Sequence, residues 1–261
     1  MVADGDVARI KMLWPRCVIL LFILCACRIS QAGFQHADDS LTSFAIPEQT
    51  GQVIVVTTAS WNSKEGTLQR YERVDGNWKK TGDAVQVMVG KNGLGWGRGK
   101  HKNTGSPEKV EGDGKAPAGV FSLGTLFGYA EKFDSPSGYP YRQATARDYY
   151  VDDIKSTDYN QWVTIPAGKA NTPNEFWASC EKMRRADHLY EYGIVISHNE
   201  APAVKGKGSA IFFHVWRAPG LPTVGCTSMR KEDLVGLMKW LDPAKEPLLI
   251  QVPESELHKL Y

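Results

Sequence analysis

Between residues 52 and 90 the apolar residues come in bursts too short and too β-branched to serve a helix. QVIVVTTAS (52–60), TLQRYERV (67–74) and AVQVMVG (84–90) are β-branched or alternating, and Gly, Asn or Asp bounds them. Asp75-Gly76-Asn77, between the second and third, reads as a hairpin turn, because these residues tolerate positive φ. YGIVIS (192–197), AIFFHV (210–215) and PLLIQV (247–252) continue the pattern. Two segments break it. In 171–190, Thr172, Pro173 and Glu175 have the spacing of a capping box. Phe176, Cys180 and Met183 then follow at i, i+4 and i+7, predicting an amphipathic helix with Cys180 in its apolar stripe. Residues 228–241 predict a second helix, with Ser228 as cap and Leu234, Leu237, Met238 and Leu241 inward. The expectation is a mostly β fold with a few helices (α+β), one domain over 51–252, and a short tail at 253–261.

The N-terminus differs in kind. Arg9, Lys11 and Arg16 precede CVILLFILCAC, an apolar run of 11 residues at 17–27. That run is short for a bilayer span but matches the core of a signal peptide. Ser30-Gln31-Ala32 puts small residues where a signal peptidase reads, so 1–32 is expected to be cleaved before Gly33. A second reading makes LCAC a lipoprotein signal with the lipid on Cys27. Residues 33–50 read as a polar linker. The expected location is the periplasm or cell envelope, with membrane contact only through the signal peptide or that lipid. A net charge of +2 with no basic run gives no case for nucleic acid. Loss of 1–32 leaves only Cys180 and Cys226. Two cysteines in an oxidising compartment fit a disulfide, and that alternative stands at this stage.

The stretch 91–124 is rich in glycine and charge, and reads as a long loop closing on a strand at 120–123. Its glycines do not make a nucleotide site. Neither Gly99-Lys100 nor Gly114-Lys115 is followed by Ser or Thr, and the G-x-G-x-x-G spacing is missing. The six histidines show no H-x-x-x-H spacing and the cysteines no C-x-x-C spacing that would hold a metal, so no metal or other cofactor is expected.

His214 ends an apolar strand, and eleven residues lie between it and Cys226. The intervening loop carries Pro219, Gly220 and Pro222, and Gly225 allows close approach of the backbone. A helix expected about two residues beyond Cys226 would lower the thiol pKa through its dipole. His214 would then serve as base, and the amides near Gly225 and Cys226 as oxyanion donors. That set suits acyl transfer through a thioester.

Three blocks resemble a known family, the L,D-transpeptidase catalytic domain of YkuD type. They are GDGKAPAGVFSLG, MRRADHLYEYGIVISHN with GKGSAIFFH, and PTVGCTSM. The likeness runs in outline from 52 to 252 and is specific over 206–229. It implies a single catalytic domain with a mixed β-sheet or sandwich, acting on peptidoglycan stem peptides. Cys226 would attack the bond after the diamino acid, and a neighbouring amine would resolve the thioester into a 3-to-3 cross-link. His214 matches the family's proton donor and acceptor, Gly225 the oxyanion region, and Thr223 the hydroxyl residue. The chain departs from the family at Val224, where a histidine is usual, and at Ser228, where arginine or asparagine is usual. Arg217 or Arg230 is the expected substitute cation for a substrate carboxylate. His198, Asn199 and Trp216 are further candidates for substrate contact, or packing residues. Two alternatives remain: an L,D-carboxypeptidase that resolves the thioester with water, and a non-catalytic envelope protein with a Cys180–Cys226 disulfide.

Overall fold

The computed structural model describes residues 46–102, 105–169, 172–200 and 202–260. The expected signal peptide and most of the linker lie outside them. Among the described residues, thirteen strands and one α-helix follow in chain order. The strands are β1 (Gln52–Thr58), β2 (Glu65–Val74), β3 (Asn77–Met88), β4 (Leu94–Trp96), β5 (Ala116–Gly128), β6 (Tyr141–Gln143), β7 (Asp148–Val151), β8 (Trp162–Thr164), β9 (Cys180–Lys182), β10 (Tyr192–Ile196), β11 (Phe212–Val215) and β12 (Thr227–Met229). Helix α1 (Lys231–Trp240) and strand β13 (Leu248–Pro253) complete the set. The fold is mostly β, as expected. The hairpin between β2 and β3 turns at Asp75 and Gly76, both with positive φ.

The main sheet runs β10-β11-β12-β3-β2-β1-β13-β5-β4. The long β5 also pairs with β10, which bends the sheet round on itself into a barrel-like closure. Strand β1 is buried on both faces. Ile54 and Val56 join Leu68, Val87 and Phe121 in one cluster, while Val53 and Val55 join Trp78, Leu94 and Ile250 in another. Two-sided burial explains why β1 reads as a continuous apolar run rather than an alternation. Helix α1 adds Leu234, Leu237 and Met238 to the first cluster, and Leu241 follows just beyond its end. Full burial of such side chains contributes about 1.5–3 kcal/mol each.

Two expectations about helices need correction. Ser228 does not cap α1. It lies within β12, and Arg230 occupies the cap position without a side-chain cap bond. The predicted helix over 171–190 is also replaced. A single 3-10 turn at Pro173–Glu175 is followed by β9. Thr172 makes no cap bond, and Glu175 pairs instead with Lys169. The cause is tertiary: β9 pairs with the edge of β7, matching Tyr150 to Glu181 and Val151 to Cys180, and strand pairing outweighs a weak helical propensity.

The resulting three-stranded sheet, β8-β7-β9, is organised around buried Asp148. Its carboxylate accepts bonds from Thr145 N (2.8 Å), Trp162 Nε1 (2.9 Å), Thr164 Oγ1 (2.6 Å) and Arg142 Nη2 (3.0 Å). Burial alone would raise this carboxyl, but the bonds from Thr145, Thr164 and Trp162 outweigh it and hold the pKa at about 2. The small sheet thereby fixes two acidic residues at the functional site, Asp152 and Glu181.

Candidate active site

Strands β11 and β12 are parallel, with Phe213 opposite Thr227 and His214 opposite Ser228. Continuing that register sets Cys226 beside Phe212. In parallel strands, register partners project to one face and residues two apart share it. His214 and Cys226 are therefore diagonal neighbours on the same side of the sheet. This explains the spacing in the sequence: a chain leaving β11 after His214 must travel back along the strand before β12 can start. The loop is pinned on the way, where Thr223 N donates to Val89 O (3.0 Å) and Lys91 N donates to Thr223 O (2.8 Å).

The turn into Cys226 is held by Thr223. Its hydroxyl donates to Cys226 O at 2.6 Å and accepts from Gly225 N at 3.0 Å. The Gly225 amide is thus occupied, contrary to its expected role as an oxyanion donor, and the Cys226 amide is the remaining candidate of the two. Gly225 has φ +155, and a Cβ there would lie 3.3 Å from Lys115 O, so the position favours glycine.

His214 Nδ1 lies 2.8 Å from Val215 O. A carbonyl only accepts, so Nδ1 carries the proton and Nε2 keeps its lone pair. The Tyr190 ring packs edge-on to the imidazole at 5.4 Å. Cys226 Sγ donates to Ala210 O at 3.5 Å. Asn160 Oδ1 in turn accepts from Ala210 N (3.1 Å), while its amide donates to His198 O and Asn199 O.

The electrostatics reverse the expectation of a thiolate. Cys226 is 5% exposed and His214 7%. Burial pushes the Cys226 thiol up to about 12, opposed by a bond from the Phe212 backbone. Burial also pulls His214 down to about 4, opposed by the bond to Val215. No helix starts directly after Cys226 to offset desolvation, because β12 intervenes. The resting pair is neutral thiol and neutral imidazole. Cys180 is pushed up to about 11, by burial first and then by Asp152 and Glu181. Iodoacetamide at pH 7 is accordingly expected to label both thiols of the folded protein far more slowly than in the unfolded chain. Mass spectrometry over time checks this, and labelling of Cys226 as fast in the native as in the denatured protein would contradict the neutral pair.

The Cys180–Cys226 disulfide is not formed, and both cysteines are free. Cys180 packs against the cluster of Tyr149, Val151, Ile165 and Trp177, whereas Cys226 belongs to that of Phe127, Tyr190 and Phe212.

Two cavities meet at Cys226. One, of about 240 Å³, is bordered by His214, Ser228, Arg185 and Arg217. The other, of about 300 Å³, is bordered by Lys109, Glu111, Asp152 and Ser209. Cys226, Tyr190, Glu181 and Val224 border both. Val224 is 71% exposed, a bare apolar side chain on the divide between them. A larger cavity, about 410 Å³, opens by Pro47, Tyr139 and Pro243 but offers neither cysteine nor histidine.

The remaining candidates divide. Arg217 borders the cavity of His214, with Nη2 4.0 Å from Asp187 Oδ2. Arg230 does not border it; its guanidinium is held by Asp233 on α1 through two 3.0 Å bonds. Trp216 borders neither cavity at Cys226. His198 is buried, accepts from Arg98 N (3.3 Å) and donates to Lys207 O (3.0 Å). Desolvation lowers it to about 3. Asn199 is buried and bonds Val204 and Gly208. These two shape the loop before β11 rather than facing Cys226. The sequence reading missed Glu181, Arg185, Tyr190 and Asn160, because the helix predicted over 171–190 hid the first three and nothing local marks the fourth. Arg185 stacks over Tyr190 at 5.2 Å and grips Asp187 with two bonds of 3.0 and 3.1 Å. Among the described residues, no group of three His, Cys, Asp or Glu is placed to hold a metal.

Fold and site together define a mostly β domain with a buried cysteine–histidine pair on a barrel-like sheet. The family model of the L,D-transpeptidase catalytic domain, YkuD, matches residues 59–250, and the chain belongs to that family. Two solved structures of the helical cell shape determining protein Pgp2 from Campylobacter jejuni are similar in part. A point mutant is 13% identical with a TM-score of 0.38, covering 83% of this chain and 51% of that one. The other is 14% identical with a TM-score of 0.34, covering 83% and 55%. The chain spans about half the length of those structures. No curated protein matches the sequence.

Proposed function

We propose that the protein is a cysteine acyltransferase of the cell envelope that acts on peptidoglycan stem tetrapeptides. The observation that carries this reading is the placement of Cys226 and His214 on one face of parallel neighbours, where two cavities meet.

The neutral resting pair sets the order of events. As the thiol sulfur attacks the carbonyl carbon after the third residue, its proton passes to His214 Nε2. The Cys226 amide faces the developing oxyanion. Breakdown expels the terminal D-alanine, whose nitrogen takes the proton back from His214. An acceptor amine then attacks the thioester carbon, gives a proton to His214 and displaces the sulfur, which recovers it. Arg217, beside His214, supplies the cation that Ser228 does not, and binds a carboxylate of the stem. Export through the N-terminal signal would bring the domain to this substrate.

Purified tetrapeptide muropeptides incubated with the protein should lose D-alanine and yield 3-to-3 dimers, read by mass spectrometry. Tripeptides alone would assign water as the acceptor. Tetrapeptides that persist unchanged would sink the acyltransfer reading.

A further inference from the structure

We propose that the cavity bordered by Glu111, Asp152 and Glu181 is a subsite for a protonated amine, so that the substrate's diamino residue lays a free ammonium against these carboxylates. The inference rests on the reading of Cys226 as a nucleophile toward stem peptides, and adds the charge of the group that sits beside it.

The three acids come from separate segments and converge on one hollow. Glu111 is carried by the glycine-rich loop, Asp152 follows β7, and Glu181 lies in β9. Glu111 Oε2 is fixed by Tyr159 Oη at 2.5 Å and Ser209 Oγ at 2.7 Å. Both donors are neutral, so the charge of Glu111 is positioned but not cancelled. Asp152 Oδ1 is buried and has no hydrogen-bond partner among the described residues. Glu181 Oε2 is 3.5 Å from Tyr190 Oη and 3.6 Å from Arg185 Nη1, beyond the usual range of a strong charge-assisted bond.

The cations of the same cavity do not neutralise this wall. Lys109 Nζ is already committed to Asp113 Oδ1 at 2.6 Å and Val110 O at 2.7 Å. Lys91 is exposed. A buried carboxylate oxygen without a donor carries a desolvation cost. An ammonium, with three donors and a compensating charge, removes it. Across the thiol, the other cavity carries Arg185 and Arg217. Arg185 is held by Asp187 and Arg217 lies 4.0 Å from the same carboxylate, so neither reaches across to Glu111 or Asp152.

The test uses the full chain with Cys226→Ala, so that bound peptide is not consumed. Two probes are titrated by calorimetry: L-Ala-γ-D-Glu-L-Lys-D-Ala, and the same peptide with norleucine in place of lysine. Loss of the ammonium is expected to weaken binding by about tenfold or more, the effect of a charge-assisted bond. Asp152→Asn in the same background should bring the two affinities within about threefold, as expected when that bond is lost. Should Asp152→Asn misfold, Glu181→Gln is read in the same way. Equal binding of the two probes to the parent protein overturns the ammonium subsite and leaves the stem-peptide reading intact. A preference for lysine that survives both substitutions places the ammonium elsewhere and also overturns it. Binding of neither peptide overturns the stem-peptide reading, and the subsite with it.

Discussion

Cys226→Ala is expected to lower turnover of tetrapeptide muropeptides by at least about 10⁴-fold, since the proposed acyl-enzyme forms on the Cys226 sulfur. His214→Gln is expected to approach the same loss. The thiol is held neutral by burial, with a pKa of about 12, so without a base almost no nucleophile is available at neutral pH. The two side chains then act as a unit, and the double variant should be scarcely worse than either single one. Glutamine can still donate to the Val215 carbonyl that His214 Nδ1 engages, which separates loss of the base from collapse of the strand end. Discharge of D-alanine, measured for the two single variants and the double, checks all three values. Multiplicative losses would show that Cys226 and His214 do not share a step, and surviving turnover in Cys226→Ala would remove the nucleophile.

Stability is expected to fall steeply as the pH drops from about 6.5 to 4, and to fall again above about 9. His214 and His198 are buried as neutral rings, with pKa values of about 4 and about 3 against 6.5 when exposed. Below 6.5 the unfolded chain binds protons that the folded chain refuses, so lowering the pH favours unfolding. At pH 4 each ring costs on the order of 3 kcal/mol on this basis, a large share of the roughly 5–15 kcal/mol that keeps a domain folded. Cys226 acts at the other end. Its folded pKa is raised from 9 to about 12, so above pH 9 the unfolded chain ionises first and gains. Tm measured from pH 4 to 10 should therefore show a plateau between about 6.5 and 9. His214→Gln should flatten the acid limb. A Tm that holds steady from pH 6.5 to 4.5 would mean that neither histidine is buried neutral.

Much of the β framework is legible because its signals are local. The two-residue period, the Asp75-Gly76 turn and the β-branched runs each report on neighbours in the chain. Strands β1, β2, β10 and β11 fall within a few residues of expectation, and β3 begins earlier, at Asn77. Helix α1 is legible too, through Leu234, Leu237 and Met238, although its start is not. The segment 171–190 misleads for an equally physical reason. Its caps and its Phe176, Cys180 and Met183 spacing are genuine helical preferences worth a few tenths of a kcal/mol each. They lose to a ladder on β7 whose register depends on residues some thirty positions away.

The candidate site divides along the same line. The sequence alone singled out Cys226 and His214, because the apolar strand, the stiff loop and the Gly-Cys turn all lie within one short stretch, and it bore the likeness to the family. It also marked Thr223, whose hydroxyl proves to tie the turn together. Only the tertiary structure decided the protonation state of the pair. A pKa depends on what excludes water and on which charges converge in space, and the sheet, Tyr190 and β12 set those terms here. It also brought Glu111, Asp152, Glu181 and Arg185 to the thiol from segments spread over some seventy residues. The proposed nucleophile and base could be read from the chain because they sit on adjacent strands joined by a single loop. The charges around them could not, because closure of the sheet and addition of the small one bring those charges there.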